Sequence, residues 1–341
     1  MISSRKKAVK KILNNKVLKK NKTKSDICFA PINIALIKYW GKSDERLNLA
    51  MTPSLSISSN YLGTNTQILL SKKDEVILNN SAVDKYFFNR VFEFVNLWRF
   101  ALNDKRKIKI VTNNDVPTAS GLASSASGFA SLTHALNDFF SLHLSEHKLS
   151  SLARIGSGSA CRSVFRKSRF AIWDGNFAKH FVFKKGAKNF AKNMRIMIFV
   201  LDKKKKQYSS REAMKKTKNA WLKNKNNCYN KWLLQSKKDI LNIQKAKTWQ
   251  IFGSIVENNS LLMHEAIREI GIDYFNKKTR KVLDFVTNCR KNELFIYATI
   301  DAGANVSVIY QKQDESRLKK RIKDSKIQKK LDAKILDFQK K

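Results

Sequence analysis

The chain has 341 residues, 43% of them hydrophobic, which is enough for a buried core and for about two domains. Lysine and arginine total 68 against 27 acidic residues, a net charge of +41, but the lysines are spread through every segment and no arginine-rich motif stands out. The composition therefore favours a general excess of lysine over a dedicated nucleic-acid-binding protein, and the positive field would speed the capture of small anions. No uncharged run approaches the ~20 residues of a membrane span.

The first 25 residues form a basic segment. Residues 1–24 carry ten lysines and arginines and no acid, without the long apolar run or the small-residue cleavage site of a secretory signal. A transit-like peptide and a nucleic-acid-binding arm are alternatives, but we expect residues 1–25 to be a solvated tail, disordered or partly helical.

An N-terminal lobe is predicted over residues 26–185. Order begins near Asp26 with the apolar run ICFAPINIALIKYW, which predicts a strand broken by a turn at Pro31. The runs TQILL and IKIVT predict two further strands. Small and apolar residues then recur at helical spacing from Ala126 to Phe140, so a helix is expected to follow directly on a loop of small residues.

A C-terminal lobe is predicted over residues 186–341. It starts with the strand RIMIFVLD and continues as mostly helical from about residue 205 to residue 290. LFIYATID and VSVIY predict a strand–turn–strand, and the tail from Gln311 predicts a charged helix. The mixture of strands and helices in both lobes indicates an α+β fold rather than a regular βαβ sheet. The expected core anchors are Trp221, Trp232 and Trp249, and the apolar positions of the tail helix are Leu318, Ile322, Leu331 and Ile335.

The cysteines and histidines exclude two kinds of site. The four cysteines are far apart and form no CxxC pair, which indicates reduced thiols in a cytoplasmic protein rather than a disulfide framework or a zinc site. The five histidines include no HExxH motif, so no dedicated zinc centre is predicted. The cysteines are Cys28, Cys161, Cys228 and Cys289.

The stretch VPTASGLASSAS, residues 116–127, suits a polyphosphate. Gly121 permits a positive φ and has no Cβ to block an oxyanion, and the neighbouring small residues let consecutive backbone N–H groups face one concavity. The helix that follows directs the positive end of its dipole to the same place. The loop is not a Walker motif, and by itself it is equally typical of a serine-rich helix N-cap without a ligand.

Three other short motifs carry chemistry. In IALIKYWGK, Lys38 stands in an apolar run, where burial is costly without an anionic partner, although a strand with surface lysines is the alternative. In GSGSACRS, residues 156–163, the glycines allow a tight backbone, the serines can donate hydrogen bonds, and Arg162 can hold a carboxylate through two parallel bonds. In DAGAN, Asp301 ends an apolar strand, and by itself it is typical of a turn-capping residue.

In their order and spacing, APINIALIKYWGK, PTASGLASSAS, GSGSACRS and DAGAN resemble the motifs of the diphosphomevalonate decarboxylases, which belong to the GHMP small-molecule kinase superfamily. The resemblance spans residues 30–305. It implies a two-lobed GHMP kinase fold, with an N-terminal lobe like domain 2 of ribosomal protein S5 and a ferredoxin-like C-terminal lobe. It also implies ATP-dependent conversion of mevalonate 5-diphosphate to isopentenyl diphosphate, ADP, phosphate and CO₂, in isoprenoid biosynthesis, by a cytoplasmic homodimer.

The resemblance further implies a role for each motif residue. Asp301 would orient or deprotonate the substrate 3-hydroxyl, Arg162 would hold the substrate carboxylate, and Lys38 would neutralise charge beside the transferring phosphate. Mg²⁺ would arrive with ATP and bridge its oxygens, and no protein ligand for it is predicted. The residues expected to bind the 5-diphosphate are Tyr39, Lys42, Ser157, Ser159 and, on a weaker match in SSREAM, Arg211; those expected to bind ATP are Pro117, Gly121, Ala123, Ser124 and Ser125.

The chain departs from the family pattern in three places. DAGAN has Ala304 where the family has proline, which is expected to loosen the turn slightly. After GSGSACRS, the basic residues Arg166, Lys167 and Arg169 stand where the family has an aromatic residue and two glycines, so the backbone geometry beside that motif is left open. His264 only faintly resembles a substrate-facing HATN segment, and no role is assigned to it.

Two alternative functions follow from the same sequence. A 3-kinase of the same fold, or a phosphomevalonate decarboxylase, would act on mevalonate or its monophosphate. Relatives that only phosphorylate tend to lose part of the set Asp301, Lys38 and Arg162, and all three are present. A basic RNA-binding protein would explain the charge, but it gives no reason for the four motifs to occur together.

Overall fold

The computed structural model describes residues 2–14, 22–115, 124–166, 169–202 and 207–339. The predicted α+β fold of two lobes is confirmed: helices pack on a seven-stranded sheet in the N-terminal lobe and on a four-stranded sheet in the C-terminal lobe. Within the described part of the chain, no helix combines the length and the apolar content that crossing a bilayer requires.

The N-terminal sheet has the strand order β6-β5-β7-β4-β8-β9, and β1 also pairs with the long central strand β4. Most of its neighbours are antiparallel, except β5 and β7. The strands of this lobe are β1 (Cys28–Ile37), β2 (Lys42–Asp44), β3 (Leu49–Ala50), β4 (Ser54–Leu70), β5 (Glu75–Leu78), β6 (Ser81–Ala82), β7 (Ile108–Asn114), β8 (Phe170–Asp174) and β9 (Phe177–His180), and its helices are α1 (Ser4–Leu13), α2 (Lys85–Leu102), α3 (Ser124–Phe139), α4 (Glu146–Gly156) and α5 (Ala160–Ser163). The helix α6 (Lys185–Asn193) follows and leads into the C-terminal sheet.

The C-terminal sheet is antiparallel, with the order β11-β12-β10-β13. Its central strand β10 has six buried residues of seven, as its continuous apolar run predicts. The elements of this lobe are β10 (Met194–Val200), α7 (Ser210–Lys223), α8 (Cys228–Gln244), α9 (Trp249–Arg268), α10 (Lys277–Lys291), β11 (Tyr297–Thr299), β12 (Val306–Gln311), a 3₁₀ turn (Lys312–Asp314), α11 (Glu315–Ser325), α12 (Ile327–Leu331) and β13 (Lys334–Asp337).

Two sequence expectations about strands are wrong in detail. The first strand is not broken at Pro31: β1 runs through it to Ile37, and the ladder with β4 shifts register between Pro31 and Asn33. Proline lacks a backbone N–H, so it is tolerated where the ladder is irregular. At the other end of the chain, Ile335 belongs to a strand rather than to the tail helix, because it pairs with Phe199 at the edge of the C-terminal sheet.

The N-terminal segment is packed, in contrast to the solvated tail that the sequence suggests. Residues 4–13 form α1, and its Val9 and Leu13 are fully buried in the core with α2 and α4. The partly buried Ala8 and Ile12 complete an apolar stripe at helical spacing. The lysines on the other positions dominate the composition of this segment and conceal that stripe. Residues 15–21 lie outside the described residues.

A shared apolar core joins the lobes beneath the site. Ile34 and Leu36 of β1 belong to the same buried cluster as Ile196 and Ile198 of β10 and Phe252 of α9. Because β1 and α9 are packed into one core, the side chains that follow β1 and those that lie along α9 are held in a defined relation.

Candidate active site

A cavity of about 740 Å³ is lined by residues from both lobes and lies at the carboxyl end of β1. Every described residue that the sequence predicts to be catalytic or to bind substrate lines this cavity, and so does Ser125. Its described lining carries five cations and two carboxylates, so the cavity suits an anionic ligand. The cations are Lys38, Lys42, Arg90, Arg162 and Arg211, and the carboxylates are Glu212 and Asp301.

Lys38 and Asp301 form an ion pair across the two lobes. The Lys38 Nζ donates to Asp301 Oδ1 at 2.6 Å and to the Ala35 carbonyl at 3.0 Å. The lysine side chain is 2% exposed, whereas the aspartate side chain is 40% exposed and faces the cavity. Burial holds the pKa of Lys38 below its usual range, and the charge of Asp301 opposes that shift. The carboxylate is therefore presented to a ligand with a buried cation behind it.

Helix α9 fixes the backbone on both sides of this ion pair. Asn259 Oδ1 accepts the backbone N–H of Lys38 at 2.9 Å, and Ser260 Oγ both donates to the Ile300 carbonyl and accepts its N–H. His264 Nε2 lies 2.8 Å from the Asp301 carbonyl. Burial lowers the pKa of His264 to about 3, so its ring is neutral. Because both oxygens beside Nε2 are carbonyls, which only accept, the proton is assigned to Nε2. Hydrogen bonds from a single helix, α9, thus hold the backbone at both Lys38 and Asp301 in place.

Arg162 is held in the cavity wall by two polar side chains. Its Nη1 donates to Ser54 Oγ and its Nη2 to Asn33 Oδ1, at 3.4 Å. Asn33 is oriented in turn by its own donation to Ser163 Oγ at 2.7 Å. Burial lowers the pKa of Arg162, with the charge of Asp301 among the opposing influences. A guanidinium fixed in this way is ready to receive an anion with little loss of side-chain entropy.

Tyr39 and the GSGS loop meet in the cavity. The Tyr39 hydroxyl is buried without a hydrogen-bond partner among the described residues, and burial raises the pKa of Tyr39. A Cβ at position 158 would lie 2.6 Å from that hydroxyl, so Gly158 is needed for the close approach. Ser157 Oγ lies 3.4 Å from Ser125 Oγ, which joins the loop to the first turn of α3. The hydroxyl of Tyr39 can therefore donate to a group bound in the cavity.

A second group of cations surrounds Lys42. Its Nζ donates to Asn48 Oδ1 at 2.7 Å. Burial, followed by the nearby charges of Arg211, Arg90 and Arg5, lowers the pKa of Lys42 to about 8. A group of like charges is unfavourable by itself, and an anion with two or more charges would relieve the repulsion.

Arg211 lies on the rim of the cavity, in the first turn of α7. A capping box fixes that turn, because Ser209 Oγ accepts the N–H of Glu212 and the Glu212 carboxylate accepts the N–H of Ser209 at 2.8 Å. The structure therefore brings the weakest of the sequence matches, SSREAM, to the same cavity as the stronger ones.

Two family models match the chain and together cover most of it. The diphosphomevalonate decarboxylase-like N-terminal domain matches residues 30–180, and the mevalonate 5-diphosphate decarboxylase C-terminal domain matches residues 196–340. The chain belongs to the diphosphomevalonate decarboxylase family.

Sequence and structural similarity to individual proteins supports this family membership. The diphosphomevalonate decarboxylase of Debaryomyces hansenii is 30% identical over 316 residues, covering 85% of this chain and 80% of that protein. A solved mevalonate diphosphate decarboxylase from Enterococcus faecalis is similar with a TM-score of 0.80 at 33% identity, covering 92% of this chain and 96% of that one. The same values hold for MDDEF solved in complex with MVAPP, AMPPCP and magnesium. The Staphylococcus aureus enzyme gives a TM-score of 0.78 at 30% identity, covering 88% of this chain and 91% of that one.

Part of the predicted ATP site lies outside the described residues. Pro117, Gly121 and Ala123 belong to that part, and the side chain of Ser124 is likewise not described. The described remainder begins with the backbone of α3 at Ser124 and with Ser125, which lines the cavity. The roles assigned to these five residues from the decarboxylase family stay predictions.

Two departures from the decarboxylase pattern can be located in the structure, one outside the cavity and one in the turn that follows Asp301. Arg169 donates to the carbonyls of Ala191 and Lys192, at 3.0 and 2.9 Å, so it ties β8 to the end of α6 rather than entering the cavity. The DAGAN turn is anchored on both sides. Asn305 Oδ1 accepts the N–H of Leu201 at 2.7 Å, and the Ala304 carbonyl accepts from a threonine hydroxyl on α10.

Several residues that shape the site were missed from the sequence. Asn33 had a signal, because an amide within the apolar run PINIALI is costly to bury unless it is hydrogen-bonded. Asn48 and Arg90 had no signal of comparable strength, because each reaches the cavity only through packing with distant segments. His264 had only the faint HATN resemblance, which does not predict its contact with the Asp301 carbonyl. Arg90 lies on α2, which no motif marks.

Among the described residues, no group of three or more histidine, cysteine, aspartate or glutamate side chains could hold a metal ion. Of the two carboxylates in the cavity, Glu212 is engaged in the capping box and Asp301 in the ion pair. A magnesium ion carried by nucleotide phosphates takes most of its ligands from phosphate and water, and the described donor set is compatible with that.

Proposed function

We propose that the protein catalyses the ATP-dependent decarboxylation of mevalonate 5-diphosphate to isopentenyl diphosphate, with release of ADP, phosphate and CO₂. Family membership supports the reaction, and two groups of charged side chains in the cavity lining support its assignment to this site. One group is the 2.6 Å ion pair of Lys38 and Asp301 with Arg162. The other is Lys42 with Arg90 and Arg211, where burial and then the charges of the two arginines lower the pKa of Lys42. A substrate with a hydroxyl and a carboxylate at one end and a diphosphate at the other matches this division.

In the first step, the 3-hydroxyl of the substrate attacks the γ-phosphorus of ATP. Asp301 takes the hydroxyl proton, since its carboxylate is the exposed member of the ion pair. The O–P bond forms and the bond between the γ-phosphorus and the leaving ADP oxygen breaks. Lys38 is fixed 2.6 Å from Asp301 and stabilises negative charge in the transition state without having to reorganise.

In the second step, the 3-phosphate leaves as the carboxylate is lost. The C–C bond to the carboxylate breaks with release of CO₂, its electron pair forms the new C=C bond, and the C–O bond to phosphate breaks. A cation develops at the tertiary carbon as phosphate departs, and the electrons from decarboxylation neutralise it. Arg162 is proposed to hold the carboxylate in the orientation this requires, through its anchored guanidinium.

ATP is the cosubstrate, and Ser125 at the start of α3 is proposed to contact its phosphates. Bound magnesium supplies charge neutralisation on the phosphate oxygens. The 5-diphosphate is assigned to Tyr39, Lys42, Ser157, Ser159 and Arg211. The four free cysteines fit a cytoplasmic location. Assembly as a homodimer stays a prediction.

The lowered pKa of Lys42 predicts a pH dependence of substrate binding. Below pH 8 the ammonium is charged, and as pH rises through about 8 the free protein loses this charge. The KM for mevalonate 5-diphosphate is therefore expected to rise by roughly tenfold between pH 7 and pH 9, as one charge-assisted hydrogen bond is lost. Lys42→Arg stays charged over this range and should give a flat profile. A wild-type profile as flat as that of Lys42→Arg would contradict the assignment.

Product analysis tests the proposed function against a 3-kinase of the same fold. The protein is incubated with ATP, magnesium and mevalonate 5-diphosphate, mevalonate 5-phosphate or mevalonate in separate reactions, and ADP and CO₂ are both measured. We expect equal amounts of ADP and CO₂ with the diphosphate and much slower turnover with the other two. ADP without CO₂, together with a stable 3-phosphorylated product, would instead identify a kinase.

A further inference from the structure

The N-terminal helix α1 lies outside the family-matched segment, which begins at residue 30, yet its Arg5 contacts the helix that leads into the substrate-site loop. Arg5 Nη2 donates to the carbonyl of Ile155 at 3.1 Å. Ile155 lies in the last turn of α4, directly before the GSGS loop that lines the cavity. The arginine is therefore joined to the loop that is proposed to bind the diphosphate.

The last carbonyls of a helix have no partner within it, and they carry the negative end of its dipole. At the end of α4 these carbonyls are shared between two side chains. Asn48 Nδ2 donates to the carbonyls of Arg154 and Ile155, at 2.9 and 3.1 Å, and Arg5 donates to the same Ile155 carbonyl. A cationic donor is the favoured partner at this position.

The same amide connects the helix end to a cavity lysine. Asn48 Oδ1 accepts from Lys42 Nζ at 2.7 Å, so Arg5, Ile155, Asn48 and Lys42 form one continuous hydrogen-bonded chain. Arg5 also adds positive charge near Lys42, and this charge helps to lower the pKa of Lys42. It is itself partly buried, with Glu93 3.8 Å away as its only ion-pair partner within the described residues.

The packing of the apolar stripe of α1 keeps Arg5 beside the Ile155 carbonyl. Val9 and Leu13 are fully buried, so the helix cannot leave the lobe without exposing them. This packing positions the Arg5 guanidinium, in the first turn of α1, at the C-terminal end of α4. An unpacked basic tail would place no charge there.

We infer that α1 is a built-in support of the diphosphate subsite, with Arg5 as a positioning residue that caps α4 and, through Asn48, orients Lys42. This inference rests on the proposed function for the identity of the substrate but not for the presence of an anion subsite. The GSGS loop and Lys42 would then owe part of their geometry to a segment that lies before the family-matched region.

The test measures binding of inorganic pyrophosphate by calorimetry, which needs no turnover. Arg5→Gln is expected to weaken pyrophosphate binding about tenfold, and Arg5→Lys, which keeps a cation and a donor, to recover most of that loss. Lys7→Gln is the matched control, because Lys7 is exposed on the same helix and its removal changes the net charge equally. It should bind like the wild type.

Two further measurements separate positioning from a loss of folding. Thermal unfolding of Arg5→Gln identifies any variant that is not folded at the assay temperature, and the variants are compared below that point. Because Arg5 and Asn48 share one carbonyl, the double variant Arg5→Gln with Asn48→Ala should lose less affinity than the sum of the single losses. In turnover, Arg5→Gln should raise the KM for the diphosphate substrate while leaving kcat within about twofold.

Equal pyrophosphate binding by Arg5→Gln and the wild type would overturn the inference, and so would an equal loss in Lys7→Gln, which would indicate the general field of the protein. Strict additivity with Asn48→Ala would also contradict it. Failure of the proposed reaction is recognised separately, as an absence of CO₂ release by the wild type.

Discussion

Replacement of Asp301 by asparagine is expected to lower kcat by about 10³- to 10⁴-fold, at the upper end of what loss of a general base causes. The amide keeps the size of the carboxylate but cannot take the proton of the 3-hydroxyl. Its amide oxygen can still accept from Lys38 Nζ but carries no negative charge, so neither proton transfer nor compensation of the buried ammonium is retained.

Parallel assays of ADP and CO₂ measure this effect. Both products should fall together, because the proposed role of Asp301 lies in the phosphoryl transfer that precedes decarboxylation. Substrate binding by calorimetry should change little, since the diphosphate is assigned to residues other than Asp301. His264→Gln is a useful companion, because a glutamine can still donate to the Asp301 carbonyl and should retain far more activity. Asp301→Asn with more than a tenth of the wild-type kcat would remove Asp301 from its role as base.

The residues that could be predicted from the sequence share a property: each belongs to a short motif whose chemistry is local. Lys38, Arg162 and Asp301 were placed in one site although they lie in different parts of the chain, and the structure brings all three to one cavity. A strand end, a glycine-rich turn before a helix and a turn after a strand each constrain a few residues, and the resemblance supplied their mutual arrangement. From composition and periodicity alone, the four motifs would have been read as unrelated anion-binding or turn segments, with no indication that they form one site.

What could not be predicted depends on packing between distant segments. Asn259 and His264 lie in α9 with no local motif, and they reach Lys38 and Asp301 because the shared core sets α9 against β1 and β11. The packing of α1 could not be predicted because its lysines dominate the composition. Only two of its ten residues are buried, and they are enough to pack the helix against the lobe. Ile335 lies at helical spacing after Leu331, which predicts a helix. In the structure it pairs instead with Phe199 at the edge of β10.

Replacement of Arg162 by lysine tests the second step of the reaction. A lysine keeps one positive charge but cannot reproduce the fork that reaches Ser54 and Asn33 together. The charge would no longer be fixed at the position of the carboxylate. We expect CO₂ release to fall by about 100- to 1,000-fold, as two charge-assisted hydrogen bonds become misplaced.

The product ratio distinguishes this variant from Asp301→Asn. If Arg162 acts on the carboxylate, phosphorylation should be less affected than decarboxylation, so the ratio of ADP to CO₂ should rise above the value of one expected for the wild type. Arg169→Lys is the matched control, since Arg169 also binds through its guanidinium but contacts backbone carbonyls outside the cavity. It should cost stability without changing the ratio. An unchanged ratio in Arg162→Lys would place the arginine in the first step, and the carboxylate would then need another partner in the wall formed by β1 and α5.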